Sequence, residues 1–369
     1  MTLSIRNRPP FRAEHVGSLL RPKALLEARK RVTQGTLSSE QLHKLEDDAI
    51  RHAVRRQEEV GLQAVTDGEM RRTSWHMDFL CAIGGVIQGG TQLRPFENDT
   101  GSVRNEIALP KVTGDLHLER TIFEDHFKFL KSITKVVAKL AIPSPSILHG
   151  LGDTTFYKDE DKLFEDLIRV YSEQLRRLEE VGCTYLQIDD TMFAMLADVA
   201  YRNKIRSSSV DPAKRHLKYI ELINRVVANR SPNLTVCVHT CRGNHRSAWV
   251  ATGGYDPIAE AVFSDLAVDG LFLEFDDARS GGFEPLRFVP KGKYIVLGLV
   301  TSKRPQLENK DDLKRRIDAA SKYVDLDQLC LSPQCGFAST SEGNLLTEEE
   351  QFAKLKLVVD TAREVWGST

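Results

Sequence analysis

A histidine and a cysteine stand two residues apart in Val238-His239-Thr240-Cys241-Arg242-Gly243-Asn244, directly after the apolar run Leu234-Thr235-Val236-Cys237-Val238. Such a run reads as a buried parallel strand, and residues two apart at its mouth can direct both side chains to one side of the following loop. Imidazole and thiolate are ligands that zinc prefers. Taken alone, the fragment reads equally well as a core histidine and a buried cysteine beside a turn at Gly243. Two later segments bear on the choice. Leu271-Phe272-Leu273-Glu274 is an apolar run that ends in a carboxylate, and Leu329-Cys330-Leu331-Ser332-Pro333-Gln334-Cys335 is one that ends in a thiol. His239, Cys241, Glu274 and Cys335 would complete one tetrahedral Zn2+ site. Structural zinc sites usually sit in small modules with paired cysteine spacings, whereas these four residues are dispersed through a large chain, so the pattern reads as a catalytic metal. Two thiolates and an imidazole make a soft centre that binds a further thiol and lowers its pKa, leaving a sulfur ready to take an alkyl group. Glu274 is the hardest ligand and the one an incoming sulfur would loosen.

Other polar residues follow apolar runs in the same way. Asp189 comes after Thr184-Tyr185-Leu186-Gln187-Ile188, and Glu69 follows Leu62-Gln63-Ala64-Val65-Thr66. Carboxylates in these places suit the ammonium of an amino-acid substrate through charge-assisted hydrogen bonds; the alternative is pairing with arginines such as Arg71 and Arg72, which is the reading for Asp190. Ser18, after Gly17, can offer a hydroxyl and a backbone N–H to a carboxylate. His149 and Asp67 are candidates for proton transfer, with a hydrogen-bonded core residue as the alternative for His149. His245 and Arg246 read as rim, while Cys81, Cys183, Cys237 and Cys330 read as core.

These residues need a scaffold that gathers strand ends. Helical periodicity covers Pro22 to Gln34, Ser38 or Ser39 to Val60, Phe123 to Leu140, Lys162 to Val181, 212 to 229, Pro257 to Ser264, Lys310 to Tyr323 and Thr347 to Trp366. Strand patterns fall between most of them: the Ser18 segment, 62–66, Ser144-Pro145-Ser146-Ile147-Leu148-His149, 184–188, 234–238, 271–276, 294–299 and the run before Cys335. Eight strands alternating with helices make an α/β protein with a parallel sheet, and the pattern predicts a single (β/α)8 TIM barrel over residues 1–369. Glu69, His149, Asp189, His239, Glu274, Thr301 and Cys335 all follow strands, where a barrel collects its catalytic groups; an open doubly wound sheet would gather only a few. Residues 76–120 break the rhythm with Gly84, Gly85, Gly89, Gly90 and Gly101, and read as an inserted β-rich hairpin or lid.

The 369 residues are 41% hydrophobic and 28% charged with a formal net charge of -1 and no long basic or acidic block, so nothing points to nucleic acid or a membrane surface as a general partner. No run is long and apolar enough for a membrane span, and Met1–Arg6 lack the core of a signal peptide. Six cysteines in such a chain argue for metal or core roles over a disulfide framework. A cytoplasmic location is expected.

With these residues assembled, the chain resembles the zinc-bearing catalytic half of cobalamin-independent methionine synthase, and more closely the short, single-barrel bacterial and archaeal relatives of that enzyme in the uroporphyrinogen decarboxylase/methionine synthase-like superfamily. The likeness runs from His15-Val16-Gly17-Ser18 through Thr66-Asp67-Gly68-Glu69, Gln187-Ile188-Asp189-Asp190, His239-Thr240-Cys241 and Phe272-Leu273-Glu274 to Ser332-Pro333-Gln334-Cys335-Gly336-Phe337. It implies that His239, Cys241, Glu274 and Cys335 ligate zinc, that Ser18, Glu69 and Asp189 hold the backbone groups of homocysteine, and that a methyl group moves to the homocysteine sulfur to give methionine. Three departures concern the donor. There is no room for the N-terminal barrel that helps hold folate polyglutamate. Leu148-His149-Gly150-Leu151 stands where the full-length enzymes carry a pterin-stacking Trp, and Leu299-Val300-Thr301-Ser302-Lys303 stands where they have an Asp-Ile-His-Ser segment. The donor expected from these departures is a methylated corrinoid, free or carried by a protein. Alternatives are alkyl transfer to another thiol, as in epoxide:coenzyme M transferases, a metal-free lyase like the uroporphyrinogen decarboxylases, and a protein that only stores or senses zinc or a thiol.

Overall fold

The computed structural model describes residues 6–207 and 210–369; the stretch 1–5, part of the segment without a signal-peptide core, lies outside the described residues. The chain opens with α1 (Lys23–Thr33), α2 (Ser39–Val60), β1 (Ala64–Val65) and the short α3 (Met77–Leu80), followed by the strands β2 (Gly84–Asn98) and β3 (Gly101–His117). Next come α4 (Glu124–Ile133), β4 (Val137–Ala138), β5 (Leu140–Pro143), α5 (Pro145–Leu151), α6 (Glu160–Glu180) and β6 (Tyr185–Asp190). The remainder holds α7 (Met192–Ala197), α8 (Val199–Ser207), α9 (Pro212–Val227), β7 (Thr235–Thr240), α10 (Ala259–Asp265), β8 (Gly270–Glu274), β9 (Tyr294–Val300), α11 (Lys310–Ala320), β10 (Leu329–Pro333) and α12 (Glu348–Trp366).

The fold is α/β around a parallel sheet. Strands β5 to β10 pair in sequence order, all parallel, and β1 pairs with β4 in the same sense. Ala13 bridges in parallel to Leu331; Glu14 N–H donates to Leu331 O at 2.9 Å, and Leu331 N–H to Arg12 O at 2.8 Å. Between the Gly17 turn and the end of β1 the contacts are Thr66 Oγ1 donating to Gly17 O at 2.6 Å and Leu19 N–H to Gly68 O at 3.0 Å.

Strands β5 to β10 bury both faces, as a parallel sheet under helices must. Leu186, Ile188, Val236, Val238, Leu271, Leu273, Ile295, Leu297, Leu329 and Leu331 join the large core against the helices. The alternate residues Tyr185, Cys237, Phe272, Val296 and Cys330 meet Phe11, Val16 and Ala64 in a second cluster on the other face. Asp189, His239 and Glu274 are in phase with that second set, so they face its side at the carboxyl ends of the strands. Lys139 also lies on this side, fully buried, its Nζ 2.6 Å from His15 O and 3.4 Å from Glu14 Oε2.

Local signals explain most boundaries. Ser38 and Gln41 form a capping box before α2, and Thr347 and Glu350 form one before α12. The third strand is where the expected order shifts. Ser144-Pro145-Ser146-Ile147-Leu148-His149, expected as a strand, instead begins α5: Ser144 caps the helix by accepting Ser146 N–H, and Pro145 sits in its first turn. The strand lies earlier, in β4 and β5, within the stretch expected as the end of a helix to Leu140. That helix ends at Ile133. Lys139 interrupts the apolar run and disguises it, because only the fold supplies the Glu14 and His15 partners that let a lysine be buried there.

The 76–120 segment contains the antiparallel hairpin β2–β3, paired from Gly84↔His117 to Asn98↔Gly101. It is tied down on two sides. Glu97 and Trp249 exchange backbone hydrogen bonds of 2.7 and 2.8 Å, and Asp153 N–H donates to Pro110 O while Val112 N–H donates to Asp153 O. Among the described residues no helix is long and apolar enough to cross a membrane.

Candidate metal centre and adjoining cavities

Three strand ends, those of β7, β8 and β10, converge. One ligand atom from each of His239, Cys241, Glu274 and Cys335 lies within 4.8 Å of the other three, and all four residues are buried. Register produces part of this convergence: β6 and β7 place Asp189 beside His239, and β8 ends in Glu274 beside Gly298 of β9. Tyr255 ties two strand ends together, its hydroxyl accepting Glu274 N–H at 3.0 Å and lying 3.1 Å from Thr240 Oγ1. At Gly243 the backbone turns with φ +86°, and an added Cβ would meet Val250 at 3.0 Å, so glycine suits the turn that brings Cys241 inward.

The donor set fits a zinc ion. The Cys241 and Cys335 sulfurs are 3.5 Å apart. Both ring nitrogens of His239 and the Oε2 atom of Glu274 are buried without a hydrogen-bond partner, an expensive arrangement unless another group satisfies them. Two sulfurs, one nitrogen and one carboxylate oxygen are the mixed set that tetrahedral zinc accepts. Without such a cation the electrostatics are shared among the ligands. The hydrogen bond from Cys241, with support from His239 and Lys303, holds the Cys335 thiol well below the usual range; the same contact and burial push Cys241 well above it. Burial works against a charged His239, but the Cys335 sulfur, Asp189 and Glu274 draw its pKa up. Burial raises Glu274. Glu274 Oε1 accepts Arg242 N–H at 2.8 Å, while Oε2 lies 3.6 Å from Arg279 and 3.9 Å from Lys303.

A cavity of about 50 Å³ abuts the cluster, lined by Ser18, Glu69, Asp189, His239, Cys241 and Cys335 among others. All three residues expected to hold an amino acid therefore reach it. Gly336 stands against Ser18: a Cβ there would come within 1.9 Å of Ser18 Oγ. Asp189 Oδ1 accepts from Gln187 Nε2 at 2.6 Å, and burial lifts its pKa to about 6 against the pull of His239 and Gln187. Glu69, in the left-handed region at φ 58°, is lifted to about 7 by burial, opposed by Arg72 at 3.3 Å and Arg21 at 4.0 Å. Its Oε2 atom has no hydrogen-bond partner.

His149 and Asp67 line neither this cavity nor its neighbour. His149 Nδ1 is 2.8 Å from the Tyr219 hydroxyl and Nε2 is 3.1 Å from Glu160, and burial drops its pKa to about 4. Asp67 Oδ1 accepts Glu69 N–H at 2.8 Å and so shapes the turn that presents Glu69. Asp190 has a structural role, but through hydroxyl and amide rather than arginine: it accepts Ser146 Oγ–H and Phe193 N–H. Cys183, Cys237 and Cys330 are buried as expected, whereas Cys81 is half-exposed.

Sequence reasoning assigned no role to Trp75, Asn244, Arg279 or Lys303. Trp75 and Asn244 belong to the walls of both this cavity and a second one of about 240 Å³ farther out. The second cavity is roofed by the hairpin, with Arg94, Phe96, Glu106, Ile107 and Ala108 in its wall. Arg246 is exposed and His245 lines the outer cavity.

Comparisons with known proteins agree with this architecture. Residues 11–364 match the family model described as "Cobalamin-independent synthase, Catalytic domain". The Bacillus subtilis protein YxjH is 45% identical over 98% of this chain and 96% of its own length. A methionine synthase of Pyrococcus abyssi is 26% identical over 95% of this chain and 91% of its own. Among solved structures, a Listeria monocytogenes protein studied as a candidate vitamin-B12-independent methionine synthase superposes with a TM-score of 0.79 at 34% identity, covering 98% of this chain and all (100%) of that one. A B12-independent methionine synthase from Shewanella sp. W3-18-1, in complex with selenomethionine, shares the fold with a TM-score of 0.73 at 19% identity, covering 96% of this chain and 97% of that one.

Proposed function

The chain belongs to the cobalamin-independent synthase catalytic-domain family, and on that premise we propose that it is a methyltransferase acting on the thiol of homocysteine to give methionine. The ligands would be His239, Cys241, Glu274 and Cys335, and the metal zinc. The observation that carries this reading is the convergence of that cluster with Ser18, Glu69 and Asp189 on one small cavity. We read the eight strand segments as one closed (β/α)8 barrel and residues 1–369 as one domain, with the site at the carboxyl ends of the strands.

Bound at the cluster, zinc would take up the substrate sulfur and lower its pKa, so that it is a thiolate near neutral pH. The chain's own residues do the rest. Glu69 and Asp189, once ionised, accept hydrogen bonds from the ammonium, and the Ser18 hydroxyl donates to the carboxylate, which fixes the sulfur relative to the cluster. Arg279 and Lys303 flank Glu274 and hold its carboxylate when another ligand displaces it. The thiol proton leaves to solvent; a sulfur lone pair then forms the S–CH3 bond while the donor's bond to that methyl breaks, its electron pair staying on the donor.

The two carboxylates favour an amino-acid thiol over the sulfonate thiol of coenzyme M, and the four-ligand cluster speaks against a metal-free lyase. A corrinoid-carrying protein as donor, expected from the departures at 148–151 and 299–303, draws no support from a family described as cobalamin-independent. The test is X-ray absorption at the zinc edge before and after adding homocysteine. Two sulfurs with lighter N/O ligands, gaining one sulfur on addition, is the expected result; a shell that ignores homocysteine defeats the reading.

A further inference from the structure

Both oxygens of the Glu274 carboxylate lead, through different partners, to one short segment, residues 249–253. Oε1 accepts Arg242 N–H at 2.8 Å, and Arg242 O in turn accepts the N–H groups of Val250 and Ala251 at 2.9 Å each. Oε2 lies 3.6 Å from the Arg279 guanidinium; Arg279 O accepts Gly253 N–H at 2.8 Å, and the guanidinium stands 4.4 Å from the centroid of the Trp249 ring. Trp249 also exchanges backbone hydrogen bonds with Glu97 of the hairpin. A chain of contacts thus runs from the hairpin through 249–253 to a ligand of the proposed metal. We propose that Trp249 and Arg279 are positioning residues that tie the seating of the hairpin to the release of Glu274 from the metal. The inference rests on the methyltransferase reading above, in which a substrate sulfur displaces that carboxylate, and goes beyond it by naming what makes the displacement depend on the hairpin.

Three observations carry the link. The Arg279 fork is held in place yet has capacity to spare. Its Nη2 lies 2.9 Å from Asp276 Oδ1 and its Nη1 2.8 Å from Asp277 Oδ2, while its Nε is buried without a hydrogen-bond partner, as is Glu274 Oε2. The 3.6 Å between Arg279 and Glu274 is too long for a hydrogen bond, but a shift of under about 1 Å would close it, so a freed carboxylate meets a charged donor already oriented. The second observation is the ring beside that fork. An aromatic face attracts the cation and restricts its tilt, more strongly where water is excluded, and the Arg279 side chain is only 9% exposed. The third is the close packing of the two loops. A Cβ on Gly281 would come within 2.7 Å of Gly254 Cα, so the segments 249–254 and 278–281 have no slack between them and shift together. Movement of the hairpin strand at Glu97 therefore reaches Arg279 as a change in the ring that holds it, and reaches Glu274 from there.

The test titrates the full-length zinc-loaded protein with homocysteine. Absorption at the zinc edge counts the sulfur added to the metal, and hydrogen exchange follows the Glu97 and Trp249 amides, each of which donates to the other residue's carbonyl. Coupling is reciprocal, so homocysteine should slow the exchange of these two amides in the wild type. Trp249→Leu removes the ring and keeps the backbone pair; it should weaken homocysteine about fivefold and abolish the slowing. Arg279→Met should abolish the slowing as well, and Trp249→Phe, which keeps an aromatic face, should retain it. Arg287→Gln breaks an exposed stack on Phe288, 4.3 Å from the ring centroid, and should behave as the wild type. Wild-type affinity and intact slowing in Trp249→Leu, equal losses in Arg287→Gln, or wild-type amides that ignore bound homocysteine would each overturn the link. If homocysteine adds no sulfur in the wild type, the functional reading falls, and the link is judged by zinc removal, which frees the same carboxylate. The two amides should then respond to chelation in the wild type and not in Trp249→Leu or Arg279→Met; an equal response in all three would overturn the link.

Discussion

The inner and outer cavities touch, yet they are built from different kinds of structure. The inner one is made by the ends of β6 and β7, the segment around Ser18 and the turns after β1 and β10, so Asp189 and His239 are held by a parallel ladder and Ser18 is packed by Gly336. The outer one is roofed by a hairpin of exposed and half-buried residues, fastened at a few backbone contacts. A metal cluster needs ligands fixed to a fraction of an ångström, which rigid strand ends provide; an insertion provides a wall that can vary.

The contrast fails if changes at the two sites have similar consequences. The largest effect is expected at the ligands. Cys335→Ser should leave the protein with far less than stoichiometric zinc by elemental analysis and without measurable methyl transfer, because a hydroxyl is a poor substitute for a thiolate on a soft site. Next comes Gly336→Ala. A Cβ within 1.9 Å of Ser18 Oγ must displace either the serine or the strand-end loop, an overpacking that typically costs about 1–3 kcal/mol; thermal unfolding should register the loss, and the KM for homocysteine should rise.

A smaller effect concerns pH. Burial lifts Glu69 to about 7 from an ordinary value of 4.5, so the folded protein holds a proton that the unfolded chain releases. Its contribution to stability is therefore fully present below pH 4.5 and is lost as pH rises through 7, while its ability to accept from a substrate ammonium grows over the same interval. Homocysteine affinity measured from pH 5.5 to 8 should strengthen in the wild type, and Glu69→Gln should flatten that limb; an unchanged profile would remove Glu69 from the ammonium site. The smallest effect belongs to the hairpin tip. Arg304→Ala breaks an ion pair with Asp99 in which both partners are about half exposed (47% and 50%), and its cost should stay under about 1 kcal/mol in chemical denaturation. A loss matching that of Gly336→Ala would mean the hairpin is as integral to the fold as the strand ends are.

Most of the architecture was legible in the chain. The helices α2, α6, α9 and α12 and the strands β6 to β10 follow periodicity and end signals that act over a few residues. Where the reading slipped, a tertiary partner had changed the meaning of a residue. Lys139 falls in the stretch expected as a helix to Leu140, but it is buried against Glu14 and His15 between β4 and β5. His149 looked available for chemistry because it follows a presumed strand; Tyr219 and Glu160, distant in sequence, engage both its nitrogens.

Which residues could bind a soft metal is readable along the chain, because ligand chemistry belongs to the side chain and strand ends announce themselves locally; so is the α/β alternation, which follows from the period of the apolar residues. It takes folding to bring His239, Cys241, Glu274 and Cys335 within 4.8 Å, to stand Lys303 and Arg279 beside Glu274, and to make Trp75 a wall of both cavities. Those contacts join segments far apart in the chain, and no local preference records the distance between two side chains that meet only after the sheet has formed.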